Sequence, residues 1–353
     1  MKPKIYFVCP NNKFISGGVK QIYRQVEILN KNGITSYVLL EGKSKQRWFD
    51  NQASITYSPY LFKILKYKLQ DRKIGLAEKI KLWFLKKKSI CIEENAILVF
   101  PEIYGDKIDK IFPGIKKVIF NQNCYYTFNQ YAMDKDYEQT PYHSKDILAT
   151  IVVSEDSQAY LSYTFPTIKI YRTTIGISHS IFNYSDKKER QICFMPRKLK
   201  EDVTQVLHIL KQRGVLGNWR LVPIDNKTEI EVAEIMKQSI FFLSFNHREG
   251  FGLPPVEAMS CGCYVIGYHG EAGREYLKTD FSTPVENGNI VAYAQEVEKA
   301  IALYEKEPEI ILTKGKMASE YVQATYSIEI EERETIKIWD SILKLAINVF
   351  KLF

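Results

Sequence analysis

The sequence predicts an α/β protein with two domains, each a parallel sheet layered with helices, facing each other across a cleft. Three observations carry this. Strand-like apolar runs alternate with helix-like amphipathic runs along most of the chain. The alternation starts twice, at "KIYFVC" (4–9) and again at "QICFMP" (191–196). The length of 353 residues also exceeds one ordinary domain and fits two of ~150–180 residues.

The elements follow in order. "KIYFVC" is a continuous apolar run suited to a strand buried on both faces. "SGGVKQIYRQVEILNKNG" (16–33) reads as a glycine loop and a helix with Val19, Ile22, Tyr23, Val26 and Leu29 on one stripe. Gly33 ends it, and "TSYVLL" (35–40) is the next strand, which completes a βαβ unit. Strands are expected at "AILVFP" (96–101), "KVIFNQ" (117–122) and "ATIVVS" (149–154). Residues 165–182 read as a short strand leading into an interdomain crossing. The second series pairs "QICFMP" with a helix over 201–213 and "WRLVPI" (219–224) with a helix over 229–238. "IFFLSF" (240–245) is followed by a loop and helix, and "YVIGY" (264–268) by the helical turn "EAGREYL" and the extended "FSTPV" (281–285). Helices fill the rest from 288 onward. The expected domains are 1–173 and 174–336, with 337–353 a final helix returning to the first domain. Its apolar face holds Trp339, Leu343, Ala346, Phe350 and Phe353, with Ile342, Leu345 and Val349 beside them.

Composition narrows the function. Charged residues make up 25% and hydrophobic residues 45%, the balance of an ordinary globular protein. No stretch approaches ~18 uninterrupted apolar residues, so no spanning helix is expected. The opening apolar run is too short for a secretory signal. Six scattered cysteines point to a reduced, cytoplasmic chain. Cys261-Gly-Cys263 is a lone pair without a second, which argues against zinc. The formal charge is +8, and residues 60–90 hold ten lysines and arginines against two acids, so this segment equals the whole excess. Apolar residues are interleaved with it. It is either a solvated helical face or a patch that docks on anionic lipid, at the inner face of the cell membrane, or on another polyanion. No nucleic-acid motif accompanies it, so nucleic acid is not an expected partner.

The stretch "EGFGLPPVEAM" (249–259) carries the chemistry. Gly250 and Gly252 permit positive φ and close approach of a ligand to the backbone. Pro254 and Pro255 suit the first turn of a helix. That helix offers unpaired N–H groups and a partial positive charge to phosphate. Glu257, placed in its first turn, and Glu249, just before the glycines, would put two carboxylates around one loop mouth. A carboxylate accepts hydrogen bonds from vicinal hydroxyls, as sugar rings present them. Taken singly, Glu257 could cap its own helix and Glu249 could be a solvated loop residue.

The longer string "EGFGLPPVEAMSCGCYVIGYHGEAGREYL" (249–277) resembles the sugar-nucleotide-binding segment of GT-B fold glycosyltransferases, in particular family four (group 1). "SGGV" (16–19) is similar to that family's N-terminal glycine loop, "TIGISHSIF" (174–182) to its interdomain crossing, and "MPRK" (195–198) to the turn where it places an Arg and a Lys. The resemblance implies two Rossmann-like domains and transfer of a sugar from a nucleoside diphosphate sugar to a glycan or lipid-linked acceptor; the alternatives are a GT-B sugar-nucleotide epimerase and a non-enzymatic protein that binds membrane or polyanion through its basic segment. It also implies retained stereochemistry, no metal and no other cofactor, in polysaccharide biosynthesis. Carried over by residue, Glu249 would hold the donor-sugar hydroxyls and Gly250, Phe251, Gly252 and Leu253 would offer N–H groups to sugar and diphosphate. Glu257 would bind ribose. Arg197, with Lys198 or Lys200, would neutralise the leaving diphosphate, and Gly17 and Gly18 would close on the donor from the other domain.

Two departures stand out. The family spaces its Arg and Lys five residues apart, but position 202 is Asp. Only one βα unit separates "QICFMP" from "IFFLSF" where the family commonly has two, which leaves Lys227 as a further donor-side candidate. In place of the family's N-domain His stands "FNQNCYY", so Asn121, Gln122 and Asn123 are acceptor-side candidates. Asp134 and Asp136 imitate a metal-binding pair of a different fold and read as solvated surface.

Overall fold

The structure is a computed structural model and describes residues 3–10, 17–43, 49, 51–129, 131 and 140–350, without the side chains of 349 and 350. Asp134 and Asp136 lie outside this set, as do residue 16 of the glycine loop and Phe353 of the final stripe. The chain divides into two compact units. The first is Met1–Val153, Ser157–Thr173 and Glu332–Phe353; the second is Ser154–Asp156 and Thr174–Glu331.

In the first unit the order is β1 (Ile5–Val8), α1 (Gly17–Lys31), β2 (Ser36–Leu40), β3 (Ile55–Tyr57), α2 (Pro59–Leu69), α3 (Leu76–Lys87), β4 (Ile97–Pro101), β5 (Lys116–Asn121), β6 (Ile147–Val152), α4 (Glu155–Thr164) and β7 (Ile170–Arg172). The seven strands lie in the order β3-β2-β1-β4-β5-β6-β7, and every pairing is parallel. This is the doubly wound order, with its reversal between β1 and β4. The central strands are buried on both faces because helices cover both, which is why β1 and β4 read as unbroken apolar runs. Gly17 and Gly18 do not form a loop: they are the first two residues of α1.

In the second unit come β8 (Glu189–Phe194), α5 (Lys200–Gln212), β9 (Arg220–Pro223), α6 (Glu229–Gln238), β10 (Ser239–Glu249), α7 (Leu253–Ser260), β11 (Tyr264–Glu271), β12 (Ser282–Val285), α8 (Ile290–Lys306) and α9 (Pro308–Thr325). The five strands are ordered β12-β11-β10-β8-β9, again all parallel. β9 is added on one side of β8 and β10 on the other, so the reversal falls between β8 and β10. The crossing segment passes close to its own unit at Gly176. Its N–H donates to the buried Glu331 carboxylate at 3.0 Å, and a Cβ there would stand 2.8 Å from the Ser327 carbonyl oxygen.

The last helix, α10 (Ile328–Phe350), begins in the second unit and continues into the first from Glu332. Ile338, Trp339, Ile342, Leu343 and Ala346 are buried. Trp339 stacks obliquely on Phe7 of β1, ring centroids 5.7 Å apart. Its indole N–H donates to the Gln25 side-chain oxygen of α1 at 3.3 Å, and the Gln25 amide donates to Thr335 at 3.1 Å. An amphipathic helix hides its apolar stripe wherever a matching surface exists, and here β1 and α1 supply it.

Candidate active site

Ligands of open parallel sheets bind beyond the carboxyl ends of the strands, where the strand order reverses. In the second unit that point lies between β8 and β10. Two loops leave it: 195–199 after β8 and 250–252 after β10. The first carries Arg197, Lys198 and, at the start of α5, Lys200. The second begins at Glu249. The Lys198 ammonium meets the Glu249 carboxylate directly across this crevice. Arg197 and Lys200 are exposed and make no ion pair among the described residues. The crevice therefore combines a half-buried carboxylate with three cationic groups within four residues of chain. Such a set can hold hydroxyls on the acid and a polyanion on the cations.

The turn after Glu249 is fixed by its neighbours. Gly252, not Gly250, takes the left-handed backbone, with φ of +84°. A Cβ at Gly252 would lie 2.6 Å from the Asn246 amide nitrogen and 2.7 Å from the Tyr276 hydroxyl, so both conformation and space demand glycine. Arg248, just before the stretch, is also left-handed. Phe251 is buried, with its ring against Tyr276 and Tyr326 at 5.4 Å from each. The Tyr276 hydroxyl donates to the carbonyl oxygens of Phe251 and Gly252 at 2.9 and 3.0 Å. Burial, then the nearby Glu249 charge, holds that hydroxyl well above the usual tyrosine range. Phe251 is thus an anchor for the turn.

Two expectations about α7 change. The helix starts at Leu253, so Glu257 is its fifth residue and sits half-buried in the second turn. The first four N–H groups of a helix have no internal partner, but here two of those positions are Pro254 and Pro255, which have none to give. Anion binding at this end must lean on the cations of the 195–200 loop. Asp202, which replaces the expected Lys, lies beside Tyr268, whose hydroxyl is pushed up by burial and by that carboxylate. Lys227 lies in the loop between the edge strand β9 and α6, one strand away from the crevice, and pairs with Glu231 at 3.1 Å.

The first unit has its own cluster at the ends of β4 and β5. Asn121 is fully buried, and its amide donates to Thr127 and Tyr142 at 2.9 and 2.8 Å. Asn123 accepts from the Tyr125 N–H at 3.0 Å and caps the short turn that follows. These two shape the loop, so of the three acceptor-side candidates only Gln122 is partly exposed. Its amide oxygen lies 3.2 Å from where a Gly18 Cβ would stand, so the first turn of α1 can approach it. The sequence reading overlooked Glu102, one residue past β4. It is buried at 4% exposure and accepts the Gln122 N–H at 2.9 Å. A Pro-Glu at the end of an apolar strand, in a doubly wound unit, was the available signal.

Burial pushes the Glu102 carboxyl up to about 7, against the pull of the Gln122 and Asn123 N–H groups. Its folded value exceeds the ordinary 4.5, so the folded unit keeps a proton that the unfolded chain releases. Its contribution to stability is full below about pH 4.5 and is lost as pH rises through about 7. Glu102→Gln should flatten the fall in melting temperature between these limits, an effect of about 3 kcal/mol at most. A melting series across that range checks it, and an unchanged slope would refute the assignment.

Two doubly wound units are the fold of the GT-B glycosyltransferases, and comparison with known proteins supports a nucleotide-sugar-dependent glycosyltransferase. Residues 191–317 match the family described as "Glycosyl transferases group 1", a range that runs from within β8 to about the middle of α9 and includes the whole crevice. The chain is similar to an alpha-1,6-glucosyltransferase of Actinobacillus pleuropneumoniae serotype 7 (strain AP76), 24% identical over 311 residues that cover 84% of this chain and 83% of that one. Among solved structures it is similar to sucrose-phosphate synthase from Thermosynechococcus elongatus, with a TM-score of 0.65 at 13% identity over 98% of this chain and 100% of the other. It is likewise similar to the Anabaena protein HepE in complex with UDP-glucose, with a TM-score of 0.60 at 12% identity over 97% and 100%.

Proposed function

We propose that this chain transfers glucose from UDP-glucose to a glycan or lipid-linked glycan acceptor, retaining the anomeric configuration and using no metal. The observation that carries the reading is the Lys198–Glu249 pair across the β8/β10 crevice, with Arg197 and Lys200 beside it. UDP and glucose come first because HepE is solved with UDP-glucose and the long relative is named a glucosyltransferase. Breaking the sugar–phosphate bond builds negative charge on the leaving diphosphate. Arg197 and Lys200 would stabilise that charge, with Lys198 shared between it and Glu249, and fixed cations can do this without a metal ion. Glu249 would hold the sugar hydroxyls and Glu257 the ribose. Gly250, Phe251, Gly252 and Leu253 would lay backbone against the donor. The reaction would be cytoplasmic, at the inner face of an anionic membrane contacted by residues 60–90.

A thermal-shift panel of nucleotide sugars, run in EDTA, tests this. UDP-glucose should raise the melting temperature, and Glu257→Ala should weaken UDP binding about 10- to 100-fold, the worth of hydrogen bonds to a charged group. No stabilisation by any nucleotide sugar would end the proposal. Activity abolished by EDTA and restored by Mn²⁺ would remove its metal-free part.

A further inference from the structure

The basic segment of the first unit folds as α2 and α3, and α3 is unusual for a surface helix. Leu82 is its one buried residue. Leu76, Ile80, Trp83 and Phe84 are exposed at 77, 52, 53 and 56%. At roughly 100° per residue these four fall within one arc of about 100°, on the side turned away from Leu82. Lys79 and Lys86 border this arc on one side and Lys81 and Lys88 on the other. Lys87 lies within it, its ammonium 3.6 Å from the centre of the Trp83 ring. The two acids of the segment are neutralised: Glu78 pairs with Arg72 at 2.9 Å and Asp71 with Lys107 at 2.9 Å. The helix thus has a packed edge and, opposite it, an apolar stripe between two rows of lysine.

We infer that α3 is a membrane-surface anchor whose apolar stripe enters the interface of an anionic bilayer, with the flanking lysines on lipid phosphates. Charge chooses this occupant. A second copy would bring the same net positive segment against itself, and a nucleic acid would leave Leu76 and Ile80 without a role. An interfacial helix needs an apolar face bordered by cations, with an aromatic residue at headgroup depth, and the stripe meets each condition. The inference rests on the membrane contact named above and sharpens it to one helix, and it uses none of the crevice residues.

Co-flotation with vesicles tests it. The protein should bind phosphatidylcholine vesicles containing about one-third phosphatidylglycerol and not phosphatidylcholine alone. Trp83→Ser with Phe84→Ser should lower the anionic binding by at least about tenfold, with UDP affinity and melting temperature unchanged, because both side chains are exposed. Lys81→Gln with Lys88→Gln should lower it as well and reduce its salt sensitivity. Undiminished binding by the aromatic variant would overturn the inference, as would wild-type protein that ignores both vesicles. Wild-type dimers lost in the aromatic variant would overturn it too, by naming a second copy as the occupant. Failure of UDP binding with vesicle binding intact would instead fall on the transferase reading.

Discussion

Glu249→Ala is expected to lower turnover by about two to three orders of magnitude, the usual result of removing one group that stabilises a transition state, while UDP affinity changes little. The asymmetry follows from position. Glu249 sits at the mouth of the crevice with the sugar, in the proposed reading, and away from the nucleoside. Stability should hardly move. The Lys198 partner is half-exposed, with side-chain exposures of 52% and 15% across the pair, and such ion pairs are worth at most about 1 kcal/mol. Steady-state kinetics with UDP-glucose, UDP titration and a melting curve on one preparation separate the outcomes. A large stability loss with turnover unchanged per folded molecule would make Glu249 a structural residue and remove it from the donor site.

Trp339→Ala should have the largest effect on stability. The side chain is fully buried, packs on Phe7 and donates to Gln25. Loss of a buried Trp costs about 3–5 kcal/mol, and the unpaired Gln25 oxygen adds to it. For a unit of this size the melting temperature should fall by about 10 °C. Differential scanning calorimetry should show this fall in the first unit's transition. A shift of a degree or two would mean that the return of α10 contributes little to that unit's core.

The βα alternation was legible because parallel strands buried on both faces carry unbroken apolar runs, as at Ile5–Val8, Ile97–Pro101 and Ile240–Phe245. The loop at 249–252 stood out through the resemblance of the whole string 249–277 to a sugar-nucleotide-binding segment, because a single carboxylate beside glycine is common in ordinary turns. What the sequence could not resolve depended on one-residue shifts and on partners far along the chain. Which glycine is left-handed was set by Asn246 and Tyr276 crowding Gly252. Glu257 moved out of the first turn because α7 begins at Leu253. Asn121 was drawn inside by Thr127 and Tyr142. β3 is three residues on a sheet edge, too short to show a period. In α3, alternating lysine and apolar residues read the same whether the stripe is buried or exposed, and only the fold tells that Leu82 is the inward residue.

The division of α10 between the units bears on biosynthesis. The second unit, apart from Ser154–Asp156, is continuous from Thr174 to Glu331, so its sheet and crevice can be finished before the last residues leave the ribosome. The first unit is made earlier but lacks the lid of its apolar face, Trp339 included, until synthesis reaches α10. At ~5–20 residues per second, the first unit waits about ten seconds or more beyond Thr173 with β1 and α1 uncovered. The chain truncated after Glu331 should therefore show a protease-sensitive first unit beside a resistant second unit, and the full chain should be resistant in both.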